Sequence, residues 1–396
     1  MNSTQKTIGY CTNVHAGVTI ASIQENLDKY AVAARTAAGV DELGVGLWLP
    51  AQAAKELAGD PSGFSNFLKE RKLRPFTING FPYDNFHQEV VKRSVYAPTW
   101  WQPERLEYTK QLAVILADLL PEDEPCGSIS TLPIGWPTED QDAALLDRAG
   151  AQLRELAKHL ESVESSTGRR IVVAIEPEPG CILDTATDMI DWFDKHLADT
   201  AHRKYLSVCH DICHSAVMME SQADVLNRYA QASIAVGKVQ VSSAIMADWQ
   251  SMAAGRRQEA VEQLRQFAED RYLHQTGRQR ENGDFELAED LPDLLAADAL
   301  TGEPNEDPVE NDLRWVVHFH VPIFLEHFGH LSTSQKDVIE CLRVLLDANS
   351  GLEFTGHLEV ETYAWSVLPE SMRKRGLAED IAKEITWLNR ALVECW

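Results

Sequence analysis

The chain contains 396 residues, of which 44% are apolar and 24% are charged, a composition typical of a folded protein. Its 61 Asp and Glu against 36 Lys and Arg give a formal net charge of −25. This charge disfavours partners whose affinity depends on neutralised phosphates, such as DNA, RNA or an anionic membrane surface. The length suits two or three ordinary domains, or one (β/α)8 barrel of about 250 residues or more.

The compartment can be predicted from the first residues and the cysteines. The start lacks the apolar stretch of a signal peptide, and the longest apolar run, 112–120, is interrupted by Asp118 and is too short to span a membrane. The seven cysteines are scattered without the spacing of a disulfide framework. We therefore expect free thiols in a reducing, cytoplasmic compartment and no membrane partner.

Short β-rich runs alternate with longer segments of helical spacing along most of the chain. The eight predicted strands cover 7–14, 43–49, 75–80, 127–133, 171–176, 205–211, 236–242 and 356–363. Strands that alternate with helices form parallel sheets, because each helix carries the chain back across the sheet. Eight such units favour a closed barrel over an open sheet. We therefore predict an α/β fold, a single (β/α)8 TIM-barrel domain over 1–396.

The second predicted strand shows how the barrel would be packed. Its aliphatic residues share one face, which an outer helix would cover. Gly44, Gly46 and Trp48 share the other face, which we expect to point towards the barrel interior.

One segment departs from the alternation after the seventh strand. Residues 255–280 are charged and have helical spacing, whereas 281–313 contain twelve Asp or Glu and no Lys or Arg. We predict that 244–313 form a helical, acidic insertion, of which 281–313 offer few core residues and are partly mobile. A β-like piece, 314–321, would then return the chain to a helix at 333–348.

Polar residues able to bind a metal ion stand at the carboxyl ends of the last predicted strands and on the returning piece. In a (β/α)8 barrel these ends share one open mouth. The candidate ligands are Glu176, Asp211, His214, Gln240, His318, His320 and Glu361. Carboxylates combined with imidazoles and an amide suit Mn²⁺, Mg²⁺, Co²⁺ or Zn²⁺. We therefore predict a divalent metal ion as the cofactor.

Taken alone, each of these residues also has a structural explanation. A Glu at a strand end is often a loop cap or ion-pair partner, and Asp211-x-x-His214 can be a helix cap. His318 and His320 can be ordinary polar residues of a barrel. The coincidence favours the metal site, because acidic or imidazole residues end three of the last four strands and the fourth carries an amide. Haem attachment is excluded at 209–214, where the spacing is C-x-x-x-C-H.

These motifs resemble the xylose-isomerase-like TIM-barrel superfamily, which includes sugar isomerases, ketose epimerases and the endonuclease IV branch. Residues 175–180 (IEPEPG) resemble its strand-five Glu, 209–216 (CHDICHSA) its D-x-x-H segment and 359–362 (EVET) its last Glu. His318 and His320 fall where the endonuclease IV branch has D-x-H. The resemblance covers the barrel outside about 244–313.

Within the superfamily, four segments resemble EboE-type metabolite traffic proteins, whose chemistry is unassigned. They are 77–83 (TINGFPY), 95–100 (VYAPTW), 320–324 (HVPIF) and 359–363 (EVETY). The chain departs from the superfamily at Gln240, where many members have His. The histidines that the endonuclease IV branch carries on strands three and four also lack counterparts, so we expect one metal ion rather than three.

The resemblance and the residues together predict a divalent-metal-dependent isomerase or epimerase of a sugar, polyol or related hydroxy-carbonyl metabolite. The metal ion would hold the substrate, and Glu176 and Glu361 would remove and return a proton through a metal-stabilised enediolate. Further pocket candidates are His15, Trp48, Asn79, Trp136, Glu359 and Trp365.

Two other functions remain open at this point. One is a non-catalytic metabolite-binding or traffic protein of the EboE type. The other, a metal-dependent phosphoesterase, would need two or three metal ions and a basic groove. The sequence does not decide whether the chain forms a homo-oligomer.

Overall fold

Eight parallel strands close into a barrel in the computed structural model, which describes residues 6–140, 142–301, 309, 311–373 and 375–395. The strands are β1 (Thr7–Cys11), β2 (Leu43–Leu47), β3 (Leu73–Asn79), β4 (Cys126–Thr131), β5 (Arg170–Ile175), β6 (Leu206–Asp211), β7 (Val236–Val241) and β14 (His357–Val360). The last strand pairs with both β7 and β1 and so closes the ring. The predicted fold class is confirmed, and each predicted strand overlaps an observed one.

Helices connect the strands and cover the outer face of the barrel. The helices of the described residues are α1 (Ile20–Asn26), α2 (Val32–Ala38), α3 (Ala51–Leu57), α4 (Ser62–Glu70), α5 (Pro103–Leu119), α6 (Ala143–Thr167), α7 (Ala186–His196), α8 (Thr200–Arg203), α9 (Ile212–Val217), α10 (Gln222–Gln231), α11 (Ala254–Arg265), α12 (Leu291–Thr301), α13 (Gln335–Leu346) and α14 (Leu377–Glu394). A π-helical turn, Leu27–Ala31, joins α1 to α2. None of these helices is long and apolar enough to cross a membrane.

The two faces of β2 divide as the sequence predicts. Its aliphatic residues are buried in the apolar core between barrel and helices. Gly46 points inwards, because a Cβ atom there would lie 1.2 Å from Oε1 of Glu359 in the barrel interior. Trp48 follows the strand and packs against Phe86 at the barrel mouth.

A second, antiparallel sheet lies between β7 and α13. Its strands are β8 (Ile245–Asp248), β9 (Thr276–Arg280), β10 (Phe285–Ala288), β11 (Asp312–Val317), β12 (His327–Phe328) and β13 (Leu331–Thr333), in the order β10-β9-β11-β8-β13-β12. The predicted helical character therefore holds for α11 and α12 but not for the three strands between 244 and 290. The predicted boundary at residue 313 falls inside β11, which belongs to this second sheet.

The second sheet has an apolar core of its own. Trp249 and Trp315 are fully buried there, and Leu291 and Leu295 of α12 pack into the same core. The described part of 281–313 contributes four residues to this core, namely Leu291, Leu294, Leu295 and Val309. Acidic residues dominate its composition, but Leu291, Leu294 and Leu295 of α12 recur at helical spacing and are buried. The predicted mobility concerns in part residues 302–308 and 310, which lie outside the described residues.

Candidate metal centre

Three buried carboxylates meet at the carboxyl ends of β5, β6 and β14. Glu176 directly follows β5, Asp211 is the last residue of β6 and Glu361 directly follows β14. One oxygen of each lies within 4.8 Å of an oxygen of the others, and none of the three residues is more than 4% exposed. The structure thus brings these predicted ligands together, and we call them the carboxylate group.

The carboxylate group is electrostatically unfavourable without a cation. Burial, followed by the charges of Glu361 and Asp211, raises the pKa of Glu176 well above its usual value. Burial also raises the pKa of Glu361, and the charges of Asp211 and Glu359 add to this effect. A divalent cation placed among the oxygens would offset both the burial and the repulsion.

Buried polar atoms without a hydrogen-bond partner are concentrated at this position. Oδ1 of Asp211 accepts hydrogen bonds from the backbone N–H of His214 at 3.0 Å and from Oγ of Ser242 at 2.8 Å. Within the described residues, Oδ2 of Asp211, Oε2 of Glu176 and both polar atoms of the Gln240 side chain have no partner. Buried polar atoms are normally hydrogen-bonded, so this set fits a bound cation.

Two histidines direct Nε2 of the ring towards Asp211. Nδ1 of His214 donates to the carbonyl oxygen of Pro177 at 2.8 Å, and Nδ1 of His320 donates to that of Glu361 at 2.9 Å. A carbonyl oxygen only accepts, so the proton of the neutral ring lies on Nδ1 and the lone pair on Nε2. Burial lowers the pKa of His320 to about 4, which keeps its ring neutral at pH 7.

His318 is oriented in the same way by Gln275. The Nε2 amide group of Gln275 donates to the carbonyl oxygen of Pro179 at 3.0 Å and to the hydroxyl of Tyr96 at 3.2 Å. Its Oε1 therefore accepts from Nδ1 of His318, at 2.7 Å. Burial lowers the pKa of His318 well below its usual value, so its Nε2 also carries a lone pair.

Six of the seven predicted ligands form two adjoining groups, and the seventh, Gln240, belongs to neither. His214, His318 and His320, which we call the histidine group, lie beside the carboxylate group and share Asp211 with it. Nε2 of His214 is 3.2 Å from Nε2 of His318. The same His214 atom is 3.9 Å from Oδ2 of Asp211. Nε2 of His320 is 3.8 Å from the same Oδ2. Each of these distances allows one ion to bind both atoms of the pair, because metal–ligand bonds of about 2.0–2.3 Å place two ligand atoms up to about 4.5 Å apart.

Several residues of the centre are missing from the sequence prediction. Asn13 and Asn79 both donate to Oε1 of Glu361, at 2.7 and 2.9 Å, but only Asn79 was predicted to lie here. Glu178 stands close to His214 and His318. The sequence offered one indication of Glu178, since it is the second Glu of the Glu-Pro-Glu-Pro motif. Ser242 and Gln275 carry no comparable signal, because neither belongs to a motif.

A cavity of about 70 Å³ opens onto both groups. Its lining includes Glu176, Glu361 and the histidine group, together with Asn13, Asn79 and Glu178. Asp211 and Gln240 lie below this surface and do not line it. The residues that bear the candidate chemistry are therefore accessible to a small molecule from the barrel mouth.

Five other predicted pocket residues lie outside the cavity lining: His15, Trp48, Trp136, Glu359 and Trp365. His15 is hydrogen-bonded to the hydroxyl of Tyr10 at 3.1 Å and stacks on Tyr30. Glu359 points into the barrel, where Oε2 lies 2.5 Å from Nζ of Lys238. A position near a strand end thus does not fix the direction of a side chain.

We expect metal affinity to fall as pH falls. The raised pKa values of Glu176 and Glu361 mean that the metal-free site holds protons that a cation must displace. The dissociation constant should rise roughly tenfold per pH unit for each proton displaced. Titration calorimetry with Mn²⁺ in buffers of different ionisation enthalpy measures both quantities. Affinity that is independent of pH, without proton release, would contradict the carboxylate group as the binding site.

Comparison with known proteins identifies the fold. No family model and no curated protein matches the chain. A xylose isomerase-like TIM barrel protein from Mycobacterium smegmatis in complex with magnesium superimposes with a TM-score of 0.52 at 11% identity, covering 98% of this chain and 97% of that one. The chain therefore has the xylose-isomerase-like TIM-barrel fold.

Two further structures are similar at lower scores. The IolI protein with a bound zinc atom gives a TM-score of 0.48 at 11% identity and covers 98% of this chain and 99% of that one. D-allulose 3-epimerase from Methylomonas sp. in complex with D-allulose gives a TM-score of 0.38 at 13% identity. This match covers 60% of this chain and 72% of that one.

Proposed function

We propose that the protein is a divalent-metal-dependent isomerase or epimerase of a small hydroxy-carbonyl compound. The observation that carries the proposal is the convergence of Glu176, Asp211 and Glu361 at the floor of a cavity open to small molecules. Two carboxylates that face one substrate carbon can remove a proton and return it, which is the requirement of this reaction class.

The residues present fit a divalent cation. Glu176, Asp211 and Glu361 would hold it, with Gln240 and His320 as neighbouring donors. A mixed oxygen and nitrogen set of this kind suits Mn²⁺, Mg²⁺, Co²⁺ or Zn²⁺. When bound, the ion supplies Lewis-acid polarisation of a substrate carbonyl oxygen.

In this proposal Glu176 and Glu361 act as the acid and base. Their strands, β5 and β14, are three positions apart in the ring of eight, so the carboxylates approach the centre from different sides. Oε1 of Glu361 is held by Asn13 and Asn79, and Oε2 of Glu176 has no partner among the described residues. Each residue therefore keeps an oxygen available for proton transfer.

The histidine group favours one alternative, a metal-dependent phosphoesterase. Nε2 of His214 and Nε2 of His318 lie 3.2 Å apart, a separation that fits two ligands of a second ion. Such an enzyme would use two ions to bind the attacking and leaving oxygens. The net charge of −25 argues against an anionic substrate.

The proposal is tested by metal content and by hydrogen exchange at carbon. Purified protein should carry about one equivalent of divalent metal, and NMR in D₂O should show solvent deuterium entering a candidate hydroxy-ketone or keto sugar. Glu176→Gln should reduce the exchange rate by at least about a hundredfold. The exposed Glu161→Gln on α6 is the matched control.

Each other outcome selects a different function. Two tightly bound equivalents with phosphoester hydrolysis would favour the phosphoesterase. Tight binding of a metabolite without exchange would favour a binding or traffic protein of the EboE type. A protein that folds and binds no divalent metal would contradict the proposal.

A further inference from the structure

The cavity above the metal centre has two sides of different character. The side formed by the barrel strands is polar. The other side is formed by loops and is apolar, with Phe81, Phe86, Val91 and Val95 from the β3–α5 loop, Tyr272 from the α11–β9 connection and Tyr363 from the β14–α14 loop. We call these six residues the apolar wall.

The apolar wall is held in place by contacts between the β3–α5 loop and the second-sheet region. The backbone N–H groups of Val91 and Lys92 donate to the carbonyl oxygen of Arg271 at 2.7 and 2.9 Å. The hydroxyl of Tyr272 donates to the carbonyl oxygen of Phe86 at 3.2 Å. These bonds fix two segments that are far apart in the sequence, so the wall is preformed.

The wall is continuous with the histidine group. The ring of Tyr363 lies 4.7 Å from that of His320, 5.2 Å from that of Tyr272 and 5.4 Å from that of Phe86. The aromatic surface therefore directly adjoins the metal centre.

The wall offers little to a compound that carries a hydroxyl on every carbon. Lys92 lines the cavity, but its Nζ is 2.8 Å from Oδ2 of the buried Asp290. The hydroxyl of Tyr272 donates its hydrogen bond to the carbonyl oxygen of Phe86. A substrate hydroxyl buried against this side would lose its hydrogen bonds to water, which disfavours binding. An apolar substituent at the same place would instead leave water for a matching surface.

We propose that the natural ligand is amphiphilic. In this inference, which rests on the proposed function, a hydroxy-carbonyl end occupies the metal centre and an apolar substituent, aromatic or branched alkyl, packs against the apolar wall. The wall residues are then the specificity determinants that separate this substrate class from free sugars.

Two hydroxamates test the inference, because they share a chelating group and differ in the substituent. Acetohydroxamate carries a methyl group and benzohydroxamate a phenyl group. We expect benzohydroxamate to bind the Co²⁺-loaded protein about thirtyfold more tightly, as measured by the visible absorption of the cobalt ion. Phe86→Ala should reduce this ratio at least about fivefold, with acetohydroxamate affinity little changed.

A second pair of variants, which changes side-chain volume less, tests the same expectation if Phe86→Ala does not fold. Val95→Thr places a hydroxyl in the wall at nearly constant volume and should lower the ratio about threefold. Val114→Thr, at a position 43% exposed on α5, is the matched control and should leave it unchanged. Equal affinities for the two hydroxamates would overturn this inference and leave the proposed function intact. Failure of both probes to bind, or of the protein to take up Co²⁺, would contradict both.

Discussion

Glu361→Gln is expected to weaken divalent metal binding by at least about a hundredfold and, in the same protein, to stabilise the metal-free fold at alkaline pH. The substitution removes one of the three carboxylates whose oxygens would bind the ion, the other two being those of Glu176 and Asp211. It also keeps an amide oxygen able to accept from Asn13 and Asn79, which now bond Oε1 of Glu361. The local structure should therefore survive.

The stabilisation follows from the direction of the pKa shift. The pKa of Glu361 is raised in the folded state, so this group favours folding at pH values below its unfolded pKa. That contribution is lost as pH rises towards the folded pKa, and above it the buried charge is a cost. Gln carries no such cost. The difference between variant and wild type should therefore be larger at pH 8 than at pH 5.

Urea unfolding with a chelator and with Mn²⁺ measures both effects. Wild-type protein should gain about 2.7 kcal/mol when free metal is a hundred times the dissociation constant, and the variant should gain almost nothing. Glu161→Gln, an exposed change on α6, should behave as wild type. A variant that retains the full stabilisation by metal would show that Glu361 is not a ligand.

Lys238→Met is expected to destabilise the protein by about 3–5 kcal/mol. Nζ of Lys238 lies 2.5 Å from Oε2 of Glu359, and both side chains are fully buried inside the barrel. Burial acts to lower the pKa of Lys238, but the charges of Glu359, Cys209 and Cys11 and the hydrogen bond to Glu359 together raise it, so Lys238 is held as a cation. Removal of the cation leaves Glu359 as an uncompensated charge.

The double variant Lys238→Met/Glu359→Gln separates this cause from lost packing. It should recover most of the stability, because no buried charge remains. Urea unfolding followed by circular dichroism gives the free energies of unfolding for the four proteins of the cycle. If the loss of unfolding free energy in the double variant equals the sum of the losses in the two single variants, the two side chains are not coupled.

The barrel was predictable because its signals are local. Each strand is a short β-rich run between helical segments, and the parity of Gly44 and Gly46 within one run is enough to identify the inward face of β2. The convergence of Glu176, Asp211 and Glu361 required one further step, since strand ends share one mouth only if the ring closes.

The second sheet was missed for the opposite reason. Its antiparallel strands pair segments that are separated by other elements, as β8 does with β11 and β9 does with β11. Short strands of this kind have no period long enough to distinguish them from charged helix. Gln275, which orients His318, and Tyr272, which forms part of the apolar wall, both lie in this region and carried no motif.

The sequence by itself determined the eight-stranded barrel, the mouth at which its carboxylates meet and the kind of ion that such ligands suit. Only the tertiary structure decided that six of the seven predicted ligands divide into a carboxylate group and a histidine group, that Glu359 pairs with Lys238 inside the barrel and that loops add an apolar wall. Periodicity and strand-end position follow from the local chain. The direction of each side chain and its partner depends on packing between distant segments, which no local pattern records.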